Sequence, residues 1–136
     1  MSELTTHQIL IYIMVAACVA DREVNDLELE KIRTIIRALP VFDTYDGSKL
    51  AEDCQACGKI LKSSGGLTEI LATSHNVLPE RLFETAYALA VDVSVADFYF
   101  KREETRFAQM LAEELDIDEA TCSAIRVAAR ARHRRL

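Results

Sequence analysis

The sequence predicts an all-α fold, a compact seven-helix bundle forming one domain over residues 1–136, and three observations predict it. Gly and Pro are scarce, 4 and 2 in 136 residues, too few for the many tight turns of a β-sandwich or barrel. Apolar residues recur at helical rather than alternating spacing along the whole chain. The breaks between these periodic stretches are short, which packs neighbouring helices together instead of stringing them into a solenoid. At 50% apolar and 28% charged residues the composition is that of a globular chain with a core of its own.

The first helix is expected from Thr6 to about Ala20; it is apolar on nearly every side, which places it at the centre. The second begins at Asn25 and stops before Pro40. Asn25-Asp26-Leu27-Glu28 fits a capping box, and Leu29, Ile32, Ile35, Ile36 and Leu39 form the buried stripe. Val41 to Gly47 is a loop, and Ser48 is placed to cap a third helix reaching Lys62. Ser63-Ser64-Gly65-Gly66 breaks the pattern over a length that suits a turn rather than a linker. A short helix follows from Leu67 to Thr73. Pro79 opens a fifth helix to Ala96, a sixth spans Arg102 to Glu114, and Asp118 caps a seventh that carries the arginines to the end.

Charge narrows the function. Sixteen basic against 22 acidic residues leave −6. Arg126, Arg130, Arg132, Arg134 and Arg135 fall within the last eleven residues, which hold no acid, so residues 1–125 carry −11. Such a body repels a phosphate backbone, and nucleic-acid binding is not expected. The basic end reads either as a solvated helix terminus that suits the dipole or as a docking arm for an acidic partner or membrane surface. The apolar run Ile9–Ala20 is too short to cross a bilayer and lacks the flanks of a signal peptide. A cytoplasmic protein is expected.

In that compartment Cys18, Cys54, Cys57 and Cys122 read as free thiols. Cys54-Gln-Ala-Cys57 has the spacing of a zinc or redox motif, but His7, His75 and His133 are scattered and no second pair completes four ligands. Structural thiols are expected. No nucleophile elbow, phosphate-binding loop or histidine constellation suggests an enzyme, and no organic cofactor is expected.

An internal repeat carries the sharper reading. At an offset of 76, Val19-Ala20-Asp21 faces Val95-Ala96-Asp97, and Glu28 faces Glu104. Helices one and two then match helices five and six as a duplicated hairpin. An Asp at the C-terminal end of a helix meets a dipole that is already negative, and a cation relieves that penalty. With each Glu in the first turn of the next helix, Asp21, Glu28, Asp97 and Glu104 can converge. Four hard oxygen donors suit Ca²⁺, Mg²⁺ or Mn²⁺ better than Zn²⁺. The alternative is that the same acids act as caps. Asp92, a carboxylate in the otherwise apolar stretch Ala86–Ala96, requires a partner, either a cation or a buried group such as an Arg or a backbone N–H.

The double Asp-x-x-apolar-x-x-x-Glu pattern resembles the tellurite-resistance TerB-like family. Leu78-Pro79-Glu80-Arg81-Leu82-Phe83-Glu84-Thr85-Ala86-Tyr87-Ala88-Leu89-Ala90-Val91-Asp92 and the ending Ala128-Ala129-Arg130-Ala131-Arg132-His133 are similar to it as well. The likeness runs from about Thr6 to His133. It implies a duplicated helical hairpin, an acidic cluster binding divalent metal, a role in bacterial stress response, and protein partners that include membrane-associated ones. Carried over, the metal residues are Asp21, Glu28, Asp92, Asp97 and Glu104. The family has Gly after the repeat Asp, where this chain has Arg22 and Phe98. The leading expectation is a metal-binding stress-response adaptor. The alternative is an interaction module without metal, using the aromatic turn Phe98-Tyr99-Phe100 and the basic residues Arg130, Arg132, Arg134 and Arg135.

Overall fold

Every residue from Ile9 to Ala17 is buried, so the first helix has no solvent face and the rest of the chain is arranged around it. The computed structural model describes residues 3–19, 24–95 and 105–136. Within them lie seven α-helices: α1 (Thr6–Cys18), α2 (Asp26–Ala38), α3 (Leu50–Lys62), α4 (Gly66–Val77), α5 (Phe83–Val95), α6 (Arg106–Glu114) and α7 (Glu119–Arg132). The described residues contain no strand. The expected all-helical bundle is what the structure shows.

Helix α1 packs against α2, α3, α4, α5 and α6, most extensively against α5. It is held at its start by a capping box of its own: Thr5 Oγ1 accepts from the Gln8 N–H at 3.1 Å, and Gln8 Oε1 accepts from the Thr5 N–H at 3.0 Å. Two cross-links fix a neighbour's direction. The Gln8 side chain reaches Asp53 and the Cys57 thiol reaches the Tyr12 carbonyl; both partners advance together, so α1 and α3 run parallel. Tyr87 meets Arg126 and Asp92 meets Arg132, and by the same argument α5 and α7 are parallel. The core between these layers is closed by Phe42, Leu50, Ile70, Tyr87, Phe107 and Leu111.

Several element boundaries differ from expectation. Ahead of the third helix Asp46 caps a 3-10 turn: its Oδ1 accepts from the Ser48 N–H at 3.0 Å and from the Ser48 hydroxyl at 2.7 Å. Gly47–Lys49 is a 3-10 turn, and the α-helix proper begins at Leu50. The break before α4 is tighter than its four small residues suggest. Gly65 sits in the left-handed region at φ 75°, which L side chains disfavour. Gly66 already belongs to α4, and a Cβ there would stand 1.8 Å from the Ile60 carbonyl oxygen. Helix α4 runs past Thr73 to Val77, and within it the buried Ser74 hydroxyl finds its partner in the Ile70 carbonyl at 2.7 Å. Pro79 precedes a 3-10 turn at Glu80–Leu82, so α5 starts at Phe83.

The sixth helix starts at Arg106 rather than Arg102. Thr105 is its cap and accepts from the Ala108 N–H at 3.2 Å. Its first turn therefore holds no acid. Matching the caps Asn25 and Thr105 sets the halves four residues further apart than the offset of 76, and Glu28 then faces Ala108. Helix α7 is capped by Asp118, whose Oδ1 accepts from the Thr121 N–H at 2.7 Å. That bond holds the Asp118 carboxyl below its ordinary value. The helix stops at Arg132 instead of running to the last residue.

Candidate functional site

Of the five carboxylates expected to hold a cation, the structure describes two, and each has a partner inside the protein. Glu28, 7% exposed, stands in the first turn of α2 and closes the predicted capping box. Its N–H donates to Asn25 Oδ1 at 2.8 Å, and its Oε1 accepts from the Asn25 N–H at 3.1 Å. Asp92 lies on α5 with its side chain 17% exposed, and Arg132 from the end of α7 donates to its Oδ1 at 2.6 Å. His133 Nε2 approaches the same oxygen at 3.6 Å. The carboxylate in the apolar helix is thus neutralised by an arginine forty residues away. Asp21, Asp97 and Glu104 lie outside the described residues, as do Phe98, Tyr99 and Phe100. Among the described residues no group of three or more His, Cys, Asp or Glu is arranged to hold a metal ion.

The arginines of the basic end differ in their surroundings. Arg132 folds back onto Asp92, and Arg126 bridges the Tyr87 hydroxyl at 3.0 Å and Glu119 at 2.6 Å. Arg130 is half-buried, while Arg134 and Arg135 are exposed.

The Cys54–Cys57 pair lies within α3, facing α1. Both thiols are free and buried. Burial, then the Asp53 charge, pushes Cys54 up to about 11. Burial, then Cys54, pushes Cys57 higher still. Thiols held neutral in this way are poor nucleophiles and poor metal ligands at neutral pH.

Next to them is a polar cluster that sequence reasoning did not single out. Asp53, 7% exposed, accepts from the Tyr45 hydroxyl at 2.6 Å and from the Gln8 amide at 3.2 Å. His7 packs against Phe42 at 5.7 Å and meets the edge of Tyr45 at 5.6 Å. Its Nε2 lies 2.8 Å from the Val41 carbonyl oxygen. Burial and the Asp53 hydrogen bond hold the Tyr45 hydroxyl far above the ordinary tyrosine range. This cluster ties residues 41–45 to the start of α1 and to α3. A buried Asp in the first turn of a helix was the available signal, but its partners come from two other segments.

A groove of about 560 Å³ opens between α6 and α7. Glu113, Asp116, Glu119 and Arg126 line it with charge, beside the apolar Ile117 and Cys122. Asp116 turns the chain there at φ 54°, a conformation Asp tolerates better than most residues.

Comparison with protein-family models, with curated proteins and with solved structures found no match. The resemblance to the TerB-like family rests on the motifs quoted from the sequence.

Proposed function

We propose that this chain is a cytoplasmic adaptor of the tellurite-resistance, stress-response type that holds a divalent cation at its acidic corner and docks protein partners. Glu28 carries the reading. It is a buried carboxylate whose orientation is fixed by the Asn25 N–H, and it stands seven residues after Asp21. A donor already oriented loses little freedom on taking a cation. Asp21, Asp97 and Glu104 are the other proposed donors, and all are hard oxygens suited to Ca²⁺, Mg²⁺ or Mn²⁺. Asp92 leaves the donor set because Arg132 occupies its oxygen. No described helix is long and apolar enough to cross a membrane, so membrane-associated partners would be met at the surface.

Calorimetric titration of Ca²⁺, Mg²⁺, Mn²⁺ and Zn²⁺ into chelator-treated protein tests the proposal. Saturable binding by a hard cation, lost in Asp21→Asn/Asp97→Asn and retained in Asp92→Asn, is the expected result. A second reading is favoured by the internal partners of Glu28 and Asp92: the acids are architecture, and the protein binds partners without metal. Absence of binding below about millimolar cation, the range of weak calcium modules, would decide for it.

A further inference from the structure

A helix on the outside of a bundle carries its polar residues opposite its buried face. Helix α7 does not. Cys122 and Ala129 are its buried residues. Opposite them lie Ala120, Ala124, Val127 and Ala131, with Ala128 at the edge of the same face, all exposed. They follow the i, i+4, i+7, i+8, i+11 spacing of a single face. The polar residues stand on the flanks instead: Glu119, Ser123 and Arg130 on one side, Thr121 and Arg132 on the other. Helix propensity explains alanines at exposed positions, but not Val127, β-branched and 52% exposed.

The ends of the same helix are charged in opposite senses. Glu113, Glu114, Asp116, Asp118 and Glu119 place five carboxylates and no cation over residues 113–119. Arg126, Arg130, Arg132, Arg134 and Arg135 place five guanidinium groups and no acid over residues 126–135, two of which, Arg126 and Arg132, also bond Glu119 and Asp92 within the chain. The dipole of one helix is satisfied by charges within its first and last turns. Glu113, Glu114 and Asp116 precede α7, and Arg134 and Arg135 follow it.

We propose that the outer face of α7 is the interface of a twofold homodimer, in which two copies of α7 pack antiparallel. In that arrangement Ala120 of one copy lies opposite Ala131 of the other, and Ala124 opposite Val127. The small side chains let the two helices approach closely, near the lower end of the ~8–10 Å interaxial range. The antiparallel sense sets the acidic end of each helix over the basic end of the other; the parallel sense would stack like charges. Arg134 and Arg135 of one copy meet Glu114 and Asp116 of the second, twice per dimer. The patch is self-complementary, as a closed twofold requires. One helix from each copy buries less than a standard interface of about 1,600 Å². Association is therefore weak and sensitive to salt, because the charged rim is exposed.

Sedimentation velocity on the full chain, at low salt and at about 1 M salt, tests this, with circular dichroism confirming that each variant is folded. The chain should be dimeric at low salt and high concentration, and monomeric at high salt. Val127→Arg should be monomeric throughout. Arg134→Glu/Arg135→Glu and Glu114→Lys/Asp116→Lys should each be monomeric alone, since like charges then face each other. Mixed one to one they should form a heterodimer, because both charge clusters are restored. A wild type that stays monomeric at low salt overturns the proposal. So does a dimer that survives Val127→Arg, or a mixture of the two charge variants that does not pair.

Discussion

Asp92 and Arg132 bond at 2.6 Å, but their surroundings are unequal: the Asp92 side chain is 17% exposed and the Arg132 side chain 53%. Removing the exposed partner takes from a carboxylate in an apolar helix its 2.6 Å bond and leaves it His133 at 3.6 Å, whereas removing the carboxylate returns an arginine to water. Arg132→Ala should therefore cost on the order of 1–2 kcal/mol, between the values for surface and buried pairs, and Asp92→Asn clearly less. Urea denaturation of the two single variants and the double variant measures this asymmetry, and equal costs would refute it. The cysteines give a second check at this scale. Cys54 and Cys57 are buried and held protonated, so a thiol reagent at neutral pH should modify half-buried Cys18 first. Cys54 and Cys57 should react only on unfolding, and fast modification of either in the native protein would contradict the structure. The sequence made the oddity of Asp92 plain, and an arginine was one of the partners it suggested. It did not show which arginine, because pairing across forty residues depends on how α5 and α7 lie. The Asp53 cluster was invisible for the same reason, its hydrogen bonds coming from Gln8 and Tyr45.

At the scale of the element, helix starts are set by short side-chain motifs. Thr5→Ala and Asn25→Ala each remove one half of a capping box and should each cost about 1 kcal/mol, read as a shift in denaturation midpoint with unchanged slope. The α3–α4 turn separates two kinds of glycine. Gly65→Ala meets open space and only the penalty of a left-handed backbone, roughly 1 kcal/mol. Gly66→Ala would drive a Cβ to 1.8 Å from the Ile60 oxygen, so α4 must shift, and the larger loss is expected there. Helices and their order were legible because hydrophobic period is a local signal, and so were Asn25 and Asp118 as caps. The misplaced starts share a physical reason. Ser48 and Pro79 are good first-turn residues, yet each serves a 3-10 turn that precedes the helix. In α6, Arg102 continued the charged stretch without marking a cap, and Thr105 took that role.

The whole molecule should show its buried acids as sensitivity to alkali. Cys54 is raised to about 11, and Tyr12, buried beside Cys57 and Asp53, to about 12. Both groups keep their protons in the fold at pH values where the unfolded chain begins to release them, from about 8.5 for a thiol. The unfolded state then binds fewer protons than the native state, so stability falls as pH rises from about 9 to 11. Urea midpoints across that range should decline, and Cys54→Ala should flatten the decline. The architecture around α1 has a different consequence, one for biosynthesis. The most apolar helix leaves the ribosome before the other described helices, and the helix it packs against most extensively, α5, begins seventy-seven residues later, at Phe83. A nascent chain carrying α1 through α4 therefore displays a helix with no polar face until α5 emerges. Helical proteins usually fold fast because their contacts are local. Here the central contact is long-range, and fragments ending before Phe83 should aggregate or be held by chaperones, while chains that include α5 and α7 stay in solution.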